Sequence, residues 1–159
     1  MRRLLAILSL GAIACTPSHR APEMPTLVGT RTQEPSLAFA LHVAGGFGVR
    51  FDTTTGPELI ERARTEHRFV SDPRPGDLVV FENGAAFGVV SQVEDGTVEF
   101  LYAQRRVVRR GLVTPRAPDR KRDERGRALN TFVRPYTPGD PPEQRYLAGE
   151  LLTGFIRGD

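Results

Sequence analysis

The sequence predicts an α+β domain in which N-terminal helices pack on an antiparallel sheet built from hairpins. Three observations predict it. Apolar residues recur at helical spacing over 36–43 and again after Thr55-Gly56-Pro57. After Pro73-Arg74-Pro75-Gly76 the period changes to strand-like runs rich in Val and Phe. Between two of those runs stands Asp95-Gly96, a strong two-residue hairpin signal. Helices first and strands afterwards make the class α+β. Of 159 residues, 39% are hydrophobic and 26% charged, which fits one globular domain and excludes collagen-like or low-complexity chains. About 120 residues bury a self-sufficient core without staples. The absence of Trp, with aromatics at 8%, argues against an integral membrane protein.

Taken in order, the small apolar run 36–43 is helical, and Ala44-Gly45-Gly46 ends it. Thr55-Gly56-Pro57 opens a second helix, with Pro57 suited to its first turn and Ile60, Ala63 and Arg64 following. Segments 77–82 and 87–93 read as strands joined by a tight connection at Asn83-Gly84. Asp95-Gly96 then pairs the second strand with 97–103, and 106–113 is a further alternating strand. Segment 116–127 holds six Arg/Lys and three Asp/Glu, so it reads as an exposed loop. A last short strand is expected over 130–134. A closing helix is expected over 146–156, with Leu147, Leu151, Leu152 and Phe155 facing inward.

The first residues carry a different message. Arg2 and Arg3 precede the eleven-residue apolar stretch 4–14, which is shorter than the about 20 residues a bilayer-spanning helix needs and reads as a secretory signal. The only cysteine, Cys15, directly follows Ala12-Ile13-Ala14, which resembles the bacterial lipobox with Ala12 in place of the commoner Leu. That resemblance implies cleavage before Cys15 and lipidation of its thiol, hence a membrane partner through a lipid anchor. Thr16 in place of Asp implies an outer-membrane lipoprotein facing the periplasm in a Gram-negative cell. The alternative is an ordinary cleaved signal with an incidental cysteine. Without Arg2 and Arg3 the formal charge of +3 falls to about +1, so nucleic acid is not an expected partner. Segment 15–35 contains four prolines and reads as a flexible tether, on which His19 is a solvated residue. The expected organisation is therefore 1–14 signal, 15–35 tether and 36–159 domain.

Within the domain, Pro75-Gly76-Asp77-Leu78-Val79-Val80-Phe81 resembles the Pro-Gly-Asp-Leu-Val-Phe-Phe segment of NlpC-type and CHAP-type cell-wall peptidases, which have a papain-like fold and cut amide bonds in peptidoglycan. Phe87-Gly88-Val89-Val90 resembles the strand those families write His-Val-Gly-Ile-Val. Gly126-Arg127-Ala128-Leu129-Asn130 and the stretch 146–155 look like the closing part of lipoproteins in this group. The resemblance covers roughly 36–157 and implies three catalytic positions. A cysteine at the start of the first helix attacks, a histidine on the central strand moves the proton, and a polar group on the next strand orients that ring. Those positions fall on Ser36, on Ala86 (Phe87 if the register moves by one) and on Tyr102. None carries the family's group. Cys15 lies 21 residues upstream of Ser36 and cannot substitute. His42 sits on another face of the same helix, nearly two turns away, and His67 is a surface residue, so helix capping is the better reading of Ser36.

No catalytic residue and no cofactor is expected. No spacing of Asp, Glu, His or Cys suggests a metal. Asp77 fixes the turn into its strand through backbone hydrogen bonds. The candidates for anion contact are Arg105, Arg109, Arg120 and Arg122, whose forks suit phosphates or carboxylates; a self-neutralised loop, with Asp119, Asp123 and Glu124 interleaved, is the alternative. The expectation is an exported, lipid-anchored, catalytically degenerate domain that binds peptidoglycan or an envelope protein. The alternatives are an active wall amidase or endopeptidase using other residues, and a structural envelope lipoprotein without a small ligand.

Overall fold

The computed structural model describes residues 26–53, 55–135, 138–141 and 144–159. The signal segment, Cys15 and His19 lie outside the described residues. The elements are α1 (Ser36–Gly46), α2 (Gly56–Thr65), β1 (Phe69–Val70), β2 (Leu78–Phe81), β3 (Ala86–Glu94), β4 (Thr97–Gln104), β5 (Val107–Val113), α3 (Ala148–Leu151) and β6 (Leu152–Ile156). The six strands form one antiparallel sheet in the order β1-β6-β2-β3-β4-β5.

Helix α1 starts from Pro35 without a side-chain cap, so Ser36 is its first residue and not the capping group expected. It runs through Gly46. The stop comes at Gly48, whose φ of 81° lets Val49 N donate back to Ala44 O at 3.1 Å. Helix α2 starts at Thr55-Gly56-Pro57 as its sequence requires, with Glu58 in the first turn and Arg62 and Arg64 in the last.

Strand β2 (Leu-Val-Val-Phe) is buried at all four positions because both faces of the sheet are covered. On one face, Leu37, Phe39 and Val43 of α1 and Leu59, Ile60 and Ala63 of α2 pack with Leu78, Val80, Phe87, Val89, Leu101 and Val108. On the other, Val79, Phe81, Val90, Phe100, Tyr102 and Phe155 pack with Ala148 and the half-buried Val133, Leu151 and Leu152. The β3–β4 turn places Asp95 and Gly96 at φ 49° and 77°, the two left-handed centres expected of that pair. Asp77 fixes its turn as predicted: its Oδ2 accepts from Arg74 N at 2.8 Å and from Arg157 Nη2 at 3.3 Å.

The closing helix is corrected. Only Ala148–Leu151 turns helically, and Leu152–Ile156 is instead a strand between β1 and β2. Thr153 and Ile156 are β-branched and Gly154 is a poor helix former, so local propensity is weak; the slot between β1 and β2 decides the conformation. Phe155 is buried on this strand and Leu147 ahead of α3, while Leu151 and Leu152 are half-buried. Segment 130–134 forms no full strand. It makes one antiparallel bridge, Phe132 to Leu147, and Thr131 N donates to Leu112 O at 3.0 Å.

One boundary also moves. The sequence reading placed all of 15–35 in the tether, yet residues 29–32 lie along the free edge of β5. Gly29 N donates to Val108 O, Val108 N to Thr30 O, and Thr32 N to Arg106 O, at 2.9–3.0 Å. This strap covers part of an edge that would otherwise present unpaired backbone groups.

Candidate functional site

The three positions that the resemblance implied, Ser36, Ala86 and Tyr102, do not converge. Ser36 opens α1, which packs on the face of Phe87 and Val89, whereas Ala86 and Tyr102 belong to the apolar set on the opposite face. The parity of β3 causes this. Alternate residues point to opposite faces, so Ala86 follows Val90 and only Phe87 reaches the helical side. Phe87 is buried there, its ring 3.2 Å from where a Cβ on Gly56 would stand. Tyr102 is buried beside Phe100, ring centroids 5.4 Å apart. Burial pushes its phenol above the ordinary range, and the nearby Arg109 guanidinium draws it partly back.

The two domain histidines are far from either pattern. His67 is exposed in the turn after α2, at φ 54°. His42 projects from α1 with its side chain 75% exposed, and its Nδ1 lies 3.2 Å from Glu34 Oε1. Sequence reading missed Glu34. It precedes the helix and meets His42 only because the strap turns back along α1, a fold-level event with no local signature.

The four candidate arginines are split as well. Arg105 sits in the β4–β5 turn and Arg109 on β5 opposite Tyr102, while Arg120 and Arg122 belong to the loop beyond the other end of β5, on the order of 20 Å away along the strand. Arg122 Nη1 donates to Gly126 O. In that loop Asp123 accepts from Arg127 Nε at 2.7 Å and from the amides of Arg125 and Arg127 at 2.9 and 2.8 Å. The Arg127 fork holds the Asp123 carboxyl below the usual carboxylate range. Buried Asn130 fastens the loop, donating to Ala117 O and Arg120 O and accepting from Thr114 N. Among the described residues, the ion pair that forms within 116–127 is Arg127 with Asp123.

Among the described residues, two hollows are of useful size. One, of about 340 Å³, is polar; it is lined by Glu94, Asp95, Thr97, Glu99 and Arg127 at the β3–β4 turn. The other, of about 350 Å³, lies between the strap, α1 and the start of β5. Its apolar wall is Leu27, Phe39, Val43 and Val108, and Arg31 and the Glu34–His42 pair also line it. Among the described residues no group of His, Cys, Asp or Glu is arranged to hold a metal, and no helix is long and apolar enough to cross a membrane. No protein-family model matches the chain, and neither the curated proteins nor the solved structures provide a match.

Proposed function

We propose that this chain is an exported, lipid-anchored envelope protein whose domain resembles the NlpC/CHAP type, has lost its hydrolytic chemistry, and binds peptidoglycan or an envelope protein. One observation carries the non-catalytic reading. Where the resemblance would put nucleophile, base and orienting group stand Ser36, Ala86 and Tyr102, none of which carries the needed group, and the sheet separates the first from the other two. A serine hydroxyl without an adjacent base is inert, and loss of both groups removes several powers of ten in rate. Binding needs neither. Export and anchoring rest on Arg2-Arg3, the apolar stretch 4–14 and Cys15.

The test is incubation of the purified protein with purified peptidoglycan, assaying both the pellet and newly released amino groups. Pelleting without release is the expected result. Release would refute the non-catalytic reading, and absence of both would leave a structural lipoprotein. Separately, Cys15→Ser should shift the protein from the membrane fraction to the soluble one; retention would refute the anchor.

A further inference from the structure

We propose that the hollow between the strap, α1 and β5 binds a single-chain anionic amphiphile. Its tail lies against Leu27, Phe39, Val43 and Val108, and its head meets Arg31. This goes beyond the wall-binding reading and does not depend on it. The wall is apolar, and at about 350 Å³ it is the size of a small-ligand site, enough for one tail and not for a bilayer surface. The arginine that lines the hollow is Arg31. Among the described residues Arg31, Arg105 and Arg106 have no carboxylate within ion-pair distance, and Arg106 O holds Thr32 N at 3.0 Å, so the β4–β5 turn stands beside the strap.

That turn carries a second sign. Arg105 and Arg106 sit at φ 50° and 63°, a two-residue hairpin where Asn-Gly would be unstrained. The turn holds these two arginines next to the strap, and the arginine that lines the hollow itself is Arg31. The opposing charge is Glu34, whose Oε1 lies 3.2 Å from His42 Nδ1, an ion pair only when that imidazole is protonated. A cationic head would face Arg31, and a neutral solute would leave it unused. An anionic head on an apolar tail uses both halves of the site.

The experiment is calorimetric titration of the full chain carrying Cys15→Ser, without detergent, with octanoate, decanoate and dodecanoate below their micelle concentrations. Affinity should rise about fourfold for each added methylene. Arg31→Gln should weaken dodecanoate about tenfold, Arg31→Lys should stay within a few-fold, and Arg120→Gln, beyond the far end of β5, should match the parent. Dodecyltrimethylammonium should not bind. A flat chain-length series, equal binding by Arg31→Gln, or equal loss in Arg31→Lys would overturn the proposal. So would binding to phosphatidylglycerol vesicles without binding to monomeric dodecanoate, which would make the arginine turn a membrane-surface contact. Failure to pellet with peptidoglycan leaves these outcomes untouched.

Discussion

Replacing Gly111 by alanine probes the sheet face away from the helices. Gly111 on β5 is paired with Phe100 on β4, and the far end of the Phe100 ring stands against it. A Cβ there would fall inside contact of Phe100 Cζ and stand 2.7 Å from Cε2 and 2.9 Å from Cε1. The ring has no free direction. Phe100 is wholly buried, with Phe81 at 5.1 Å and Tyr102 at 5.4 Å between centroids. Overpacking of this kind costs about 1–3 kcal/mol. Relief of glycine's unfolded-state entropy offsets about 0.5–1 kcal/mol, so a net loss of about 1–2 kcal/mol is expected. At about 2–4 °C per kcal/mol for a chain of this size, the melting midpoint should fall by roughly 2–8 °C. The decisive assay is a double-mutant cycle by thermal and urea unfolding. In a Phe100→Leu background the space is open and Gly111→Ala should be neutral or mildly stabilising, a coupling of about 1–2 kcal/mol. The same cost in both backgrounds, or none in the parent, would refute the argument that the ring is wedged.

Asn130→Ala should cost about 3 kcal/mol, because three buried hydrogen bonds lose their partner together, and should speed amide exchange over 115–129; an unchanged melt would refute the clamp. Burial raises the Tyr102 phenol above its ordinary value of 10.0, so its contribution to stability is complete below that pH and is lost as pH rises through the folded-state value, the unfolded chain ionising first. Denaturation across the alkaline range should therefore show a steeper loss for the parent than for Tyr102→Phe, and Arg109→Gln should delay ionisation of the folded phenol. A chain starting at Ser36 should be less stable than one starting at Thr26 by about 2–4 kcal/mol, through loss of the strap's three backbone hydrogen bonds and the packing of Leu27. Equal midpoints would return 26–35 to the tether.

The hairpin-linked centre of the fold was legible because its causes are local. Asp95-Gly96 sets one register, the Val- and Phe-rich runs mark β2 to β5, and Pro57 marks a helix start. What escaped depends on distant partners. Leu147, Leu151, Leu152 and Phe155 satisfy a helical stripe on paper, but β6 exists because β1 and β2 leave a slot for it. The strap looks like a proline-rich tether until β5 supplies its hydrogen bonds. The candidate site was hardest. Ser36, Ala86 and Tyr102 were placed by counting along the chain, whereas the face each occupies depends on strand parity and on which side α1 packs. Glu34, Arg31 and Leu27 gain their meaning only once the strap is laid down.

The place of β6 makes assembly all-or-none at one end of the sheet. Among the described residues β1 has β6 as its one sheet neighbour, so it cannot dock until 152–156 does. The same corner is tied by Arg68 to Asp159, 91 residues apart, and such long closures slow folding. A cut after Leu151 would therefore remove two strands at once and bare the edge of Leu78–Phe81, whose four residues are all apolar and buried. The resulting fragment would expose a sticky ladder of unpaired amides and carbonyls, and self-association should overtake any slow refolding.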